Sequence, residues 1–166
     1  MHKKKYNIAV VGATGLVGET MLDILAEREF PVDKLVPLAS ERSLGKTITF
    51  CGQEYAVVEL ESFDFSDIDI AFFSAGASVS RVHAIRAASQ GAVVIDNTSE
   101  FRMQDDIPLV VPEVNPEDIA LYKKCNIIAN PNCSTIQMLV ALKPIHDEYE
   151  IKRINVATYQ ATSGAG

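Results

Sequence analysis

The run Asn7-Ile8-Ala9-Val10-Val11 leads straight into Gly12-Ala13-Thr14-Gly15-Leu16-Val17-Gly18, and this junction restricts the possible folds more than any other stretch. An almost unbroken apolar run marks a strand buried on both faces of a parallel sheet. Glycines directly after it allow a tight turn and let backbone N–H groups approach a pyrophosphate at the start of the next helix. From about 15 to 28, Val17, Met21, Leu22, Leu25 and Ala26 recur at helical spacing, and Phe30-Pro31 stops the helix. Residues 35–39 read as a second strand, which completes a βαβ unit with a right-handed crossover. The spacing G-x-x-G-x-x-G departs from G-x-G-x-x-G, but its place at the head of a βαβ unit makes it a nucleotide-binding turn.

The rest of the chain repeats the α/β pattern. Two β-rich runs, 47–51 and 55–59, predict a hairpin joined at Gly52-Gln53. Strands are expected at 68–73, 92–96, 107–111 and 126–129, with helices at 79–90, closed by Gly91, and at 116–122, capped by Asn115. Residues 134–149 read as a long helix with Ile136, Leu139, Val140 and Leu142 on its apolar side and Pro144 kinking or ending it. Residues 151–161 alternate like a strand. The expected fold is a Rossmann-like, doubly wound, mostly parallel sheet with helices on both faces. The turn-like Ser163-Gly164-Ala165-Gly166 follows a strand-like stretch, so the natural protein is expected to continue past it.

Length and composition agree with this class. The chain has 166 residues, of which 48% are hydrophobic and 22% charged, in the range of an ordinary soluble domain. A formal charge of −7 and the lack of a continuous Lys/Arg stripe argue against a nucleic-acid partner; Lys3-Lys4-Lys5 reads as a solubilising tail. No apolar stretch approaches the roughly 18 residues of a membrane span, and no signal-peptide pattern precedes the first strand. A cytoplasmic protein is expected. The 3 cysteines are too few and too irregularly spaced for a disulfide framework, and no Cys/His pair has zinc-ligand spacing.

Three segments at expected carboxyl ends of strands carry candidate chemistry. Ser40-Glu41-Arg42-Ser43 follows the second strand, where an acidic residue binds a ribose hydroxyl and an arginine favours a 2′-phosphate. Arg42 and Ser43 suit a phosphate, so NADP is the expected cofactor provided that Glu41 faces solvent. Ser74-Ala75-Gly76 closes another strand, and its small residues suit a nicotinamide or ribose. Asn130-Pro131-Asn132-Cys133-Ser134-Thr135 puts Cys133 at a strand-to-helix junction. A thiol there meets the positive end of the helix dipole and free N–H donors, which favour a thiolate and can stabilise an oxyanion. Cys51 and Cys125 lack that setting and read as structural. No histidine is a fitting base for Cys133: His2 is in the tail, His83 lies inside a helix, and His146 is on the order of 15 Å or more along the helix.

Taken with Asn97-Thr98-Ser99, Phe101-Arg102-Met103, Val111-Pro112-Glu113-Val114-Asn115 and Gln160-Ala161-Thr162-Ser163-Gly164, these motifs closely resemble those of the bacterial aspartate-β-semialdehyde dehydrogenases, in the same order and along essentially the whole chain. The resemblance implies reductive dephosphorylation of aspartyl-4-phosphate by NADPH, a step toward lysine, threonine, methionine and isoleucine. It makes Cys133 the acyl-enzyme nucleophile and implies that Gly12, Thr14, Gly15, Leu16 and Val17 meet the cofactor phosphates. Arg42 and Ser43 would hold the 2′-phosphate, with Ser74, Ala75, Gly76, Ser163 and Gly164 on the nicotinamide side. Arg102 would bind the substrate's phosphate, Gln160 would orient the substrate, and Asn132 would shape the site. Residues 1–133 would form the NADP-binding domain and 134–166 the start of an α+β substrate and dimerisation domain of a homodimer or higher homo-oligomer. The family's catalytic histidine and second substrate arginine would lie beyond Gly166, so this chain alone is expected to be inactive. N-acetyl-γ-glutamyl-phosphate reductases share the glycine turn and the cysteine and form the alternative enzyme reading; a nucleotide-binding module without activity is the alternative from another class.

Overall fold

Along β1 (Tyr6–Val11) successive side chains enter opposite faces of a sheet, and both faces are covered. Ile8 and Val10 pack with Leu22 and Leu25 of α1 (Leu16–Glu27), whereas Ala9 and Val11 pack with Ala84 and Ala87 of α2 (Ala77–Ser89). The apolar run therefore has no polar alternation, as a doubly covered strand requires. The computed structural model describes residues 5–161. After α1 come β2 (Val32–Ala39), a 3₁₀ turn over Glu41–Ser43, the strands β3 (Thr47–Phe50) and β4 (Gln53–Ala56), then β5 (Val58–Glu59) and β6 (Ile70–Phe73). Beyond α2 lie β7 (Val93–Asp96), a 3₁₀ segment Pro116–Lys124, β8 (Ile127–Ala129) and α3 (Cys133–Tyr149).

The main sheet has the order β5-β2-β1-β6-β7-β8, and every pairing in it is parallel. The chain starts in the middle, builds to one edge, returns beside β1 and builds to the other. Adjacent strands β1 and β6 thus send their connections apart, which opens a crevice at their carboxyl ends. Pro37 sits inside β2 at no cost to the ladder with β5, because that pairing begins at Leu38. The expected Rossmann-like class is the one observed. No helix among the described residues is long and apolar enough to cross a membrane.

Several local expectations differ from the structure. The hairpin turns at Cys51-Gly52, whose φ values of 49° and 79° suit the primed turn that matches strand twist. Its second arm ends at Ala56, and Val58–Glu59 joins the main sheet instead of the hairpin. Residues 107–111 make a single bridge, Leu109 to Ala129, because Pro108 lacks an N–H and Val111 gives its N–H to Asn115 Oδ1 at 2.9 Å. That bond occupies the Asn115 side chain, so it makes no cap bond to the following segment, which winds as 3₁₀ and not α. Pro144 is accommodated within α3 and does not end it. Residues 151–161 are not a strand: they pair with nothing in a sheet among the described residues.

The turn after β1 is set by close contact. Gly12 has φ +87°, and a Cβ there would lie 3.1 Å from Ala75 N and Ser74 Oγ. At Gly18 a Cβ would stand 2.8 Å from Ala13 Cα and well inside contact of the Gly12 carbonyl oxygen, with only backbone to give way. α1 is thereby seated directly on the turn. Gly18→Ala should lower stability by about 3 kcal/mol, read from the urea midpoint, and weaken dinucleotide binding in the same sample.

Asp96, at the end of β7, is the one fully buried carboxylate among the described residues. Its oxygens accept from Ser80 Oγ at 2.6 Å and Thr98 Oγ1 at 2.8 Å. Burial pushes its carboxyl above the ordinary aspartate value, with the two hydroxyls and the charge of Arg102 opposing the rise. The fold therefore binds this proton more tightly than the unfolded chain does, and Asp96 costs stability as pH climbs from the ordinary value through the raised one. Relative to Asp96→Asn, the unaltered chain should lose urea stability over that window as pH increases; a parallel pair of pH profiles would refute this.

Candidate functional site

A cavity of about 1020 Å³ opens at the β1–β6 crevice. Its floor is the turn Gly12 to Gly18, and its far side is the turn Ser74-Ala75-Gly76 between β6 and α2. Ser74 ties the two turns together by donating its N–H to Val11 O at 3.0 Å and its hydroxyl to the same oxygen at 3.2 Å. Thr14 Oγ1 lies 3.4 Å from Ser43 Oγ, which joins the first turn to the end of β2. Neither α1 nor α2 has a side chain bonded at its N-cap, Gly15 and Gly76 respectively. Two helix N-termini thus offer open N–H donors and positive dipole ends at one cavity, the arrangement that binds phosphate. Leu16 and Val17 are exposed at the mouth, 62% and 44% accessible, where a bound ring or ribose can cover them.

At the end of β2, Glu41 and Ser43 line the cavity, and Arg42 is exposed on the 3₁₀ turn outside its wall. The residues that sequence reasoning left without a role are on the other walls. Asn97, Thr98 and Ser99 line the cavity after β7, in the same strand-end position as Ser74 to Gly76 after β6, and that shared position was the available signal. Glu59, Leu60, Glu61, Val79 and His83 form the side nearest α2. Arg86 clamps this rim by donating to Leu60 O at 2.5 Å and to Glu61 O. His83, read from sequence only as a helix residue, is buried with its Nε2 3.4 Å from a Glu61 carboxylate oxygen. Burial, helped by the nearby Arg86 charge and opposed by Glu61, lowers its pKa and favours the neutral ring.

Cys133 is the first residue of α3 and is exposed. Asn132 is the N-cap: its Oδ1 accepts from Ser134 N at 3.0 Å, Thr135 N at 3.3 Å and Ser134 Oγ at 2.5 Å. Two donors that the sequence offered to an oxyanion are therefore engaged by Asn132, which organises the thiol's helix turn instead. Among the described residues Arg102 makes no ion pair. Its Nε donates to Asn130 O at 3.0 Å and one Nη to Asn97 O at 3.1 Å, bridging the loops that follow β7 and β8. Asn130 Nδ2 also donates to Asn97 Oδ1 at 2.6 Å. These bonds bring Arg102 and the Cys133 loop beside the cavity's Asn97 wall, although neither Arg102 nor Cys133 lines the cavity. Gln160 is exposed in irregular chain, and Ser163 and Gly164 fall outside the described residues. Among the described residues no group of His, Cys, Asp and Glu is placed to hold a metal ion.

The cavity's features have counterparts among known proteins. The family model "Semialdehyde dehydrogenase, NAD binding domain" matches residues 7–122. An aspartate-semialdehyde dehydrogenase of Shewanella violacea is 60% identical over 98% of this chain and 48% of its own length. The crystal structure of aspartate semialdehyde dehydrogenase II from Vibrio cholerae complexed with ASA superposes with a TM-score of 0.94 at 64% identity, over 98% of this chain and 53% of that one. The Candida albicans enzyme with NADP matches at a TM-score of 0.74 and 28% identity, over 89% of this chain and 48% of that one. The chain spans about half the length of the curated relatives it matches. The phosphate-binding crevice and the family model fall on the same residues, and the chain belongs to the semialdehyde dehydrogenase family, whose NAD-binding domain it contains.

Proposed function

We propose that this chain is the cofactor-binding and thiol-bearing part of an aspartate-semialdehyde dehydrogenase that reduces aspartyl-4-phosphate to aspartate 4-semialdehyde. The observation that carries the reading is the order of groups along one sheet edge: the dinucleotide cavity at β1 and β6, the Arg102 loop after β7 and Cys133 after β8. Relatives near 60% identity bearing that enzyme's name support it. The same reading divides the chain near residue 133 and assigns it to a homodimeric cytoplasmic enzyme of lysine, threonine, methionine and isoleucine synthesis.

The chain's own groups divide the work. The open N-termini of α1 and α2 hold the pyrophosphate, and the close-packed Gly12 and Gly18 keep backbone near it. Bound there, NADPH supplies the hydride that reduces a thioester. Arg102 presents its remaining guanidinium nitrogen to the acyl phosphate, an anion for which that planar fork is suited. The Cys133 thiolate attacks the acyl carbon, the C–O bond to phosphate breaks, and inorganic phosphate departs with the electron pair. After reduction, the carbon–sulfur bond of the thiohemiacetal breaks, which releases aldehyde and returns the thiolate. The chain spans about half the length of its curated relatives, so this reading gives it cofactor binding without turnover by itself.

Cofactor preference has two readings. Arg42 with Ser43 supports NADP, and the Candida albicans structure with NADP agrees; Glu41 in the cavity wall favours NAD through a ribose hydroxyl. NADP is our reading, since Arg42 can swing over a 2′-phosphate from its exposed turn. The protein made from its complete coding sequence should show a Michaelis constant for NADP at least about tenfold below that for NAD, and Arg42→Ala should narrow the gap. A preference for NAD would reverse the assignment. Cys133→Ala should cut turnover by roughly 10⁴-fold or more while NADPH still binds. Turnover with N-acetyl-γ-glutamyl phosphate in place of aspartyl phosphate would move the protein to the reductase alternative; NADPH binding without turnover on either substrate would leave a binding module.

A further inference from the structure

Hydride transfer to a Cys133 thioester gives the cavity a direction. Its Asn97 end adjoins the Cys133 loop, so the nicotinamide belongs there and the purine at the far end, beside the carboxyl ends of β2 and β5. Leu60 and Val79 supply apolar walls at that end, suited to the faces of a flat base. Two polar side chains stand with them, Glu61 after β5 and His83 on α2, and neither phosphate binding nor thiol chemistry uses them.

His83 is 8% exposed, and its Nδ1 is buried with no hydrogen-bond partner among the described residues. An unpaired buried ring nitrogen is a cost that packing alone does not explain. Nε2 is the nitrogen beside Glu61, 3.4 Å from a carboxylate oxygen, and a carboxylate only accepts; the neutral ring that burial favours therefore carries its one proton on Nε2. At 3.4 Å that N–H is too far for a strong bond and keeps capacity for a better-placed acceptor. The Glu61 side chain is largely exposed and can accept further bonds. Arg86, one turn along α2 from His83, fixes the arrangement by donating to the Leu60 and Glu61 carbonyls and lying over the Phe65 ring at 5.6 Å. A donor and an acceptor thus stand side by side at an apolar slot. The edge of adenine farthest from its ribose is their complement, with the 6-amino donor next to N1, an acceptor.

We propose that Glu61 and His83 read the adenine edge of the dinucleotide, Glu61 accepting from the 6-amino group and His83 Nε2–H donating to N1, and so select adenine over a 6-oxopurine. This inference rests on the reading of the cavity as a dinucleotide site. In hypoxanthine the amino donor becomes a carbonyl oxygen facing the Glu61 carboxylate, and N1 gains a hydrogen that faces the His83 N–H. Both bonds are lost and two like groups are set against each other.

The test compares NADPH, or NADH should that bind more tightly, with the matching dinucleotide in which hypoxanthine replaces adenine. Each is titrated into the protein made from its complete coding sequence, and binding is followed by cofactor fluorescence. The unaltered protein should bind the adenine form at least about tenfold more tightly than the hypoxanthine form. Glu61→Gln, whose carboxamide can donate to a 6-oxo group, should bring the two dissociation constants within about threefold of each other, and His83→Leu should narrow their ratio at least about threefold. A ratio near one in the unaltered protein overturns the proposal and leaves the dinucleotide site standing. Variants that weaken both forms equally, with the ratio unmoved, show a merely structural pair and overturn it too. If no adenine dinucleotide binds at all, the reading of the cavity falls and this inference with it. Should His83→Leu fail to fold, Glu61→Gln decides alone, because the Glu61 side chain is exposed.

Discussion

The seating of α1 on the turn after β1 is the constraint on which the carboxyl edge of this sheet depends. Gly18 lets the helix backbone approach the Gly12 carbonyl more closely than any side chain permits, and Gly12 lets the turn press against Ser74 and Ala75. From that contact follow the direction of the α1 N-terminus, the gap between β1 and β6, and the place of the second helix N-terminus at Gly76. A dinucleotide site of this kind is made from backbone, and backbone is placed by what is missing from the side chains.

The helix N-termini at this edge serve different ends. Those of α1 and α2 are left without side-chain caps and keep their donors for a ligand, whereas α3 is capped by Asn132 directly beside Cys133. Capping there trades some electrostatic help for order: the thiol's turn is fixed, and the first-turn donors of Ser134 and Thr135 are satisfied within it. The dipole of α3 still ends at Cys133, so geometry and field act on the same atom by separate means.

Much of this was legible in the sequence because it is local. The glycine turn, its strand and its helix are contiguous, and their spacing carries the physics. The thiol at a helix start was legible for the same reason. Pairing was not: residues 107–111 and 151–161 have strand-like patterns, but Pro108 and the Asn115 side chain limit the first to one bridge, and the second has no partner among the described residues. The Asp96 group was hidden more deeply, since it joins Ser80 of α2, Thr98 just after β7 and the backbone of Asn130 after β8, and nothing in the local run of β7 announces that its last residue is a buried carboxyl group. The exposed position of Arg42 and the place of Glu41 in the cavity wall likewise depend on how one 3₁₀ turn lies, which composition does not encode.

The two outer strands show a further economy. β5 is Val58–Glu59 alone, reached through a hairpin instead of a crossover helix, and β8 is flanked on its open side by the bridge from Leu109. An open parallel sheet ordinarily ends in rows of unpaired N–H and C=O groups that can template another chain. Here one row is cut to two residues and the other is met by a proline-bounded segment that cannot extend the ladder. The outermost strands β5 and β8 thereby offer little ladder of their own for strand addition.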